Sequence, residues 1–156
     1  MPTRDWDLLA GLTSEGISEI LALASPTRAQ EGTVLFRLGD EANTLFLVQA
    51  GRVRLTFPMR IGSHQEDILA EERLPGQMVG WSGLIPPHRF TLQAMATMDT
   101  ELLALPGPAL RTLLLDKPEI GYPVVTNLAQ IVGQRLTIFR TMWIRELQRA
   151  VENQSA

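Results

Sequence analysis

The sequence predicts a mainly β fold with flanking helices, an α+β arrangement in which an antiparallel sandwich or barrel lies between one N-terminal and two C-terminal helices. Two observations predict it. Residues 31 to 106 carry short apolar or alternating runs separated by glycine-rich turns, which is typical of antiparallel strands. The segments on either side repeat their apolar side chains with a helical period.

The N-terminal helix is predicted over about residues 8 to 24. Either Thr13 or Ser14 can cap it, because a hydroxyl oxygen can accept a hydrogen bond from an unsatisfied backbone N–H. Apolar side chains at i, i+3, i+4 and i+7 form one helix face: Ile17, Ile20, Leu21 and Ala24.

The strand segment, 31 to 106, reads as "TVLFRL", "TLFLVQ", "RVRLTF", "QEDILAEE", "FTLQAMAT" and "ELLALP". Glycine adopts positive φ without penalty, so the glycines between these runs suit tight corners. These are Gly32, Gly39, Gly51, Gly62, Gly76, Gly80 and Gly83.

The C-terminal helices are predicted over 107 to 151, one short and one long. Pro118 suits a first helical turn, Pro123 must lie near a start or a kink, and the polar tail after Val151 is expected to fray.

The apolar arc of the long helix spans roughly 180°, whereas packing on one core needs only about 100°. The excess favours a two-fold dimer through this helix, the alternative being a helix deep in its own core. The predicted interface is Leu128, Ile131, Val132, Ile138, Phe139 and Met142.

Composition limits the class of protein. The 156 residues suit one domain, residues 1 to 156, and the chain contains no cysteine, which excludes disulfides and thiolate chemistry. A net charge of −3 argues against nucleic acid as a partner. The absence of a long apolar run or a secretory leader predicts a cytoplasmic protein that does not bind membranes.

One glycine framework resembles a known family. The stretch "EGTVLFRLGDEANTLFLVQAGRVRLTF" carries Gly32, Gly39, Asp40 and Gly51, and "LPGQMVG" and "DTELLALP" follow it. Over roughly residues 8 to 150 the chain resembles the cyclic-nucleotide-binding domain, the sensor domain of catabolite-activator and Fnr-type regulators. The resemblance implies an antiparallel β-roll of the double-stranded β-helix or jelly-roll type.

The resemblance also implies a ligand site, a phosphate-binding cassette between residues 80 and 91. In the family, backbone N–H groups hold the cyclic phosphate, an acidic residue binds the ribose, and an arginine pairs with the phosphate. The implied ligand is a cyclic nucleotide, cAMP or cGMP, or another small anion. The implied site residues are Gly80, Trp81, Ser82, Gly83, His88, Arg89 and Thr91.

The cassette departs from the family pattern. Trp81 stands where the acid is expected, and an indole cannot accept a hydrogen bond from a ribose hydroxyl. His88 falls on the arginine position and Arg89 on the small residue after it, although a one-residue shift would return Arg89 to the pocket. Trp81 either stacks on a ligand or fills the pocket, and Ser82 either binds the ligand or caps the short cassette helix.

Three functions remain open. The first is a non-catalytic regulatory module that senses an anionic or nucleotide-like ligand and signals through the long helix to an effector protein. Too few residues follow Trp143 for a DNA-binding domain, so we expect a stand-alone module. The second is a ligand-free dimeric adaptor with its pocket filled by Trp81. The third, a cupin-like metalloenzyme, would use His64 with Glu66 and Asp67 and lacks enough ligands.

Overall fold

Two four-stranded antiparallel sheets form a β-roll in the computed structural model, which describes residues 5–155. The strand order is β1-β8-β3-β6 in one sheet and β2-β7-β4-β5 in the other. The strands are β1 Ser25–Ala29, β2 Val34–Phe36, β3 Thr44–Ala50, β4 Val53–Ile61, β5 His64–Arg73, β6 Met78–Val79, β7 Gln93–Ala96 and β8 Thr100–Pro106. The predicted class, mainly β with flanking helices, is confirmed.

Strand β1 was not predicted, and the sheets therefore begin at Ser25 and not near residue 31. It pairs with β8 from Ser25 opposite Ala104 to Ala29 opposite Thr100. Its first four side chains are exposed, so no apolar alternation marks it in the sequence.

The N-terminal helix α1 is shorter than predicted, spanning Ser14–Leu21. Thr13 is its N-cap, and the Thr13 side chain accepts a 3.1 Å hydrogen bond from the Gly16 N–H. Residues 8 to 11 form a turn before it. Pro26 disfavours helical backbone at the residue that precedes it, consistent with a helix that ends before Ser25.

Two helices follow the roll, α2 Gly107–Asp116 and α3 Pro118–Gln154. Pro118 lies in the first turn of α3, and Pro123 lies inside the helix near its start. The helix continues past Val151, where we predicted fraying.

Two apolar clusters form the core. One fills the roll, and the other joins α1, α2 and the first half of α3 to the roll. Leu128 and Ile131 are 6% and 7% exposed in this second cluster. Both residues therefore already pack within their own chain, and their place in a dimer interface stays a prediction.

Candidate functional site

The cassette starts where β6 ends. Gly80 has φ 87°, in the left-handed region that favours glycine, and a single 3₁₀ turn, Trp81–Leu84, follows it. A Cβ atom on Gly80 would lie 3.1 Å from the Phe90 ring. The left-handed backbone therefore favours glycine here, and any other residue would also push the Phe90 ring by a few tenths of an ångström.

Aromatic side chains fill the roll beside this turn. The rings of Phe36 and Phe90 stack with centroids 3.6 Å apart and planes 8° apart. The remaining cavity is about 10 Å³, close to the volume that one water molecule requires. It is lined by Phe36, Leu55, Gly80, Trp81, Ser82, Phe90, Thr91, Leu92 and Arg135.

Trp81 lines the cavity together with Arg135 of the long helix. Its side chain is half-buried and packs against the helical part of the core. The guanidinium carbon of Arg135, from α3, lies 5.6 Å from the centre of the Trp81 ring, within the range of a cation–π contact. Trp81 therefore joins the cassette to α3.

The basic residues of the cassette do not line this cavity. Arg89 is exposed, and its Nη1 donates to the Gly39 carbonyl at 3.1 Å. His88 is half-buried with φ 56°, and its Nδ1 lies 3.1 Å from the Ser82 carbonyl oxygen. Neither residue is among those that line the cavity beside Gly80.

Of the other predicted site residues, Ser82 and Thr91 line the cavity and Gly83 does not. Ser82 is buried and lines the cavity, and Thr91 lines it while exposed. No side chain caps the 3₁₀ turn, because its cap position is Gly80, so the capping role expected for Ser82 is wrong. Gly83 lies outside the cavity, and its carbonyl accepts a 2.5 Å hydrogen bond from Arg111.

A buried ion-pair network lies behind Trp81. Glu71 on β5 bridges two arginines, with Oε1 2.7 Å from Arg73 Nη1 and Oε2 3.1 Å from Arg135 Nε. Arg73 also donates to Asp7 Oδ2 at 2.7 Å and to the Met78 carbonyl at 2.9 Å. The network ties α3 to β5, β6 and the N-terminal segment.

Burial perturbs two groups in this network. Desolvation lowers the pKa of the Arg135 guanidinium, and the carboxylate of Glu71 opposes that shift. Desolvation also raises the pKa of Asp7 above its usual 3.8, against the attraction of Arg73. An arginine stays protonated in proteins, so Arg135 holds a positive charge beside the cavity.

Our sequence reasoning missed Arg135. On the helical wheel it follows Leu128 by seven residues and Ile131 by four, which places it in the middle of the buried face. A charge there needs a partner or a ligand, and this is the signal that could have identified it.

A second apolar stripe of α3 lies next to the face that packs on the roll. Val125, Ala129, Val132, Leu136, Phe139 and Trp143, here named the outer stripe, recur at alternating spacings of four and three residues. All are exposed except Val132, which is half-buried. Ile138 and Met142 are half-buried and lie outside this stripe, because they follow Ile131 and Arg135 by seven residues on the face that packs on the roll. An open groove of about 580 Å³ lies along its first half, between α3, α2 and the end of the cassette turn.

The described residues were also compared with the requirements of a metal site and of a membrane-spanning helix. In residues 5–155, no group of three or more His, Asp or Glu side chains could hold a metal ion. His64 lies 3.9 Å from Glu66, and both are exposed at the β4–β5 hairpin. No helix in this part of the chain combines the length and apolar character needed to span a membrane.

Residues 26–117 match the cyclic nucleotide-binding domain family. The cyclic AMP receptor protein of Thermus thermophilus is 33% identical over 129 residues, which are 83% of this chain and 56% of that protein. A Geobacter metallireducens structure described as a cyclic nucleotide-binding protein superposes with a TM-score of 0.71 and 27% identity, covering 84% of this chain and 92% of that one. The fold thus agrees with these relatives.

A third match, at 24% identity over 131 residues, is to glutaminase 1 of Bradyrhizobium diazoefficiens. It covers 84% of this chain and 20% of the glutaminase. The chain therefore spans about half of one curated relative and a fifth of the other.

Proposed function

The chain belongs to the cyclic nucleotide-binding domain family, and we propose that it is a non-catalytic, dimeric regulatory module whose cassette is closed to cyclic nucleotides by Trp81. It would act on an effector protein through α3, without binding nucleic acid. The cytoplasm is the proposed location.

The size of the cassette cavity carries this proposal. Small-molecule sites usually enclose about 300–1,000 Å³. The cavity beside Gly80 is about 10 Å³, since Trp81, Phe36 and Phe90 occupy the space around it. A cyclic nucleotide could enter only after Trp81 moved away from Arg135.

The side chains of the cassette also support the proposal that it does not bind cyclic nucleotides. Trp81 replaces the carboxylate that would accept a ribose hydroxyl, and an indole has only a donor to offer. Arg89 is turned outward onto the Gly39 carbonyl. The acidic group that binds the ribose in the family is thus absent, and the arginine that binds the phosphate is displaced.

The outer stripe supports a dimer. Apolar residues at alternating spacings of three and four form the seam of a coiled coil, which excludes water only when a second helix covers it. Leu136 and Trp143 are 68% and 67% exposed in the single chain, large values for such residues. A second copy of α3, related by a two-fold axis, is the proposed partner.

A sensor with a different ligand is the second candidate. It is favoured by two buried N–H groups without partners, Trp81 Nε1 and Arg135 Nη2, in residues that both line the cavity. A ligand that carries a hydrogen-bond acceptor would satisfy a donor of this kind.

Calorimetry with cAMP and cGMP tests the proposal on three proteins: wild type, Trp81→Glu, and Trp143→Phe as a control outside the cassette. We expect no binding heat for wild type or the control. Trp81→Glu removes the indole and restores an acid, so we expect it to gain binding. Binding by the wild type at micromolar concentration would contradict the closed cassette.

A further inference from the structure

The open groove beside α3 has the size of a small-molecule site, which the cassette cavity does not. Its volume is about 580 Å³, within the roughly 300–1,000 Å³ usual for such sites. The outer stripe contributes its first three residues to the lining, α2 contributes Leu114, and the cassette turn contributes Leu84 with the adjoining Ile85. Every lining residue is aliphatic or glycine except Arg111. A guest in this groove would therefore present an apolar body.

Arg111 of α2 is the charged residue that lines the groove. It is half-buried, and its Nη1 donates to the Gly83 carbonyl. Among the described residues it has no carboxylate partner, whereas the buried Arg73 and Arg135 each pair with at least one. A guanidinium has five N–H donors, so the bond to Gly83 leaves others available. Arg111 can therefore bind an anionic group on a guest and keep its bond to the cassette turn.

The guest that fits both features has an apolar body and one acidic group. Burial of apolar surface stabilises a complex in proportion to the area removed from water. A carboxylate matches the planar fork of a guanidinium, and its charge makes these hydrogen bonds roughly twice as strong as neutral ones. Arg111 thus favours a carboxylate over a neutral polar group.

A second copy of α3 fits the groove less well. No Asp or Glu lies between Glu119 and Glu146 in the sequence, so a partner helix paired in parallel would bring no counter-charge to Arg111. Covering this guanidinium without a carboxylate would leave a buried charge uncompensated, which is costly. The second half of the outer stripe, Leu136, Phe139 and Trp143, lies outside the groove and remains available to a partner chain.

We propose that the groove binds a small amphipathic carboxylate, a molecule with an alkyl body and one acidic end. Its body would lie against the first half of the outer stripe, and its acid would bind Arg111. The bound molecule would contact α2, α3 and the cassette turn together, so its occupancy would change how these three elements pack. The site gives a ligand to the regulatory module proposed above; its regulatory effect rests on that proposal, whereas the binding itself does not.

Calorimetry of the wild-type protein with decanoate, and with decanol as a neutral molecule of the same chain length, tests the chemistry of the groove. We expect one decanoate to bind per chain. Decanol should bind at least about tenfold more weakly, because an alcohol cannot form a charged pair with Arg111. Equal affinities, or no binding of decanoate, would overturn the proposal.

Two variants and a matched control locate the site. Arg111→Gln keeps a donor for the Gly83 carbonyl but removes the charge, so it should weaken decanoate binding at least about tenfold and leave decanol binding unchanged. Gly133 lines the groove, and a Cβ there would meet no atom within 4 Å, so Gly133→Leu should fold and block both molecules. Arg140→Gln changes an exposed arginine of α3 outside the groove and should bind both as the wild type does. Equal decanoate binding by all four proteins would show that it binds elsewhere.

The Leu136→Asp variant distinguishes a small ligand from a second chain in the groove, because it is designed to weaken the dimer without changing the groove lining. We expect wild type and Leu136→Asp to bind decanoate with equal affinity. Binding by Leu136→Asp alone would show that a partner chain fills the groove, and would overturn the proposal. Cyclic-nucleotide binding by the wild type would contradict only the closed cassette, and a lack of decanoate binding would contradict only the groove site.

Discussion

Replacing Glu71 with glutamine removes the one carboxylate that joins Arg73 to Arg135, and so tests whether the buried network holds α3 against the roll. The substitution conserves side-chain size. Its amide nitrogen would face one of the two guanidinium groups, placing a donor against a donor. One arginine would then be left buried with its charge poorly compensated.

The magnitude follows from burial. Side-chain exposure is 3% for Arg73, 8% for Arg135 and 17% for Glu71, with contacts of 2.7 and 3.1 Å. Removing one partner of a buried pair costs about 3–5 kcal/mol, and the low end suits a partly exposed carboxylate. We therefore expect a loss of about 3 kcal/mol in the free energy of unfolding, or roughly 6–12 °C in Tm for a chain of this size.

The neighbouring residue provides a matched control. Glu72 pairs with Arg52 at 3.8 Å and with Arg54 at 3.5 Å, but these arginines are 49% and 44% exposed. Surface pairs contribute about 0–1 kcal/mol, so Glu72→Gln should change stability little. Urea unfolding followed by tryptophan fluorescence measures both variants. Equal losses for the two would refute a stabilising role for the buried network.

Three further predictions concern α3, the N-terminal segment and one turn. Leu136→Asp puts a charge into the outer stripe and should raise the dissociation constant of the dimer at least about tenfold, measured by sedimentation. Thr137→Asp, beside it in sequence, should not change this constant. A monomeric wild type would contradict the dimer. Because the pKa of Asp7 is raised in the folded state, its carboxyl contributes to stability in full below pH 3.8, and this contribution is lost as the pH rises through the folded-state pKa. The unfolding free energy of wild type relative to Asp7→Asn should therefore fall as pH rises through that window, and a difference that grows with pH would reverse the sign we assign. Gly51→Ala would place a Cβ 2.7 Å from a backbone carbonyl oxygen at φ 98°. Its loss in the free energy of unfolding should exceed the roughly 1–2 kcal/mol of backbone strain expected for Gly39→Ala, where φ is 91° and the space is open. Equal losses in urea unfolding would show that the turn at Gly51 rearranges to remove the contact.

Much of the fold could be predicted because the spacing of apolar residues and the positions of glycine turns are local properties of the sequence. The six apolar runs from residue 31 onward correspond to strands β2 to β5, β7 and β8. Strand β6, Met78–Val79, has only two residues, too few to show a period, and was not predicted. Strand β1 escaped prediction because its pairing with β8 is a tertiary contact, and four of its five side chains face solvent. The start of α1 was placed too early because the apolar residues 8 and 9 pack in the core from a turn.

The site was predictable in part. The glycine framework located the cassette, and Trp81 marked its divergence. The direction of Arg89 could not be predicted, because it depends on the loop after Pro87 and on a bond to Gly39, 50 residues away. The helical wheel of α3 showed an excess of apolar surface but not which part of it packs internally, as Leu128 and Ile131 do.

A crystal structure of the protein saturated with cyclic AMP would show whether Trp81 occupies the cassette in place of a nucleotide. We expect the Trp81 ring in contact with Arg135, the Phe36–Phe90 stack intact, and no nucleotide density beside Gly80. Nucleotide density in the roll, with Trp81 displaced and Arg89 turned inward, would contradict it.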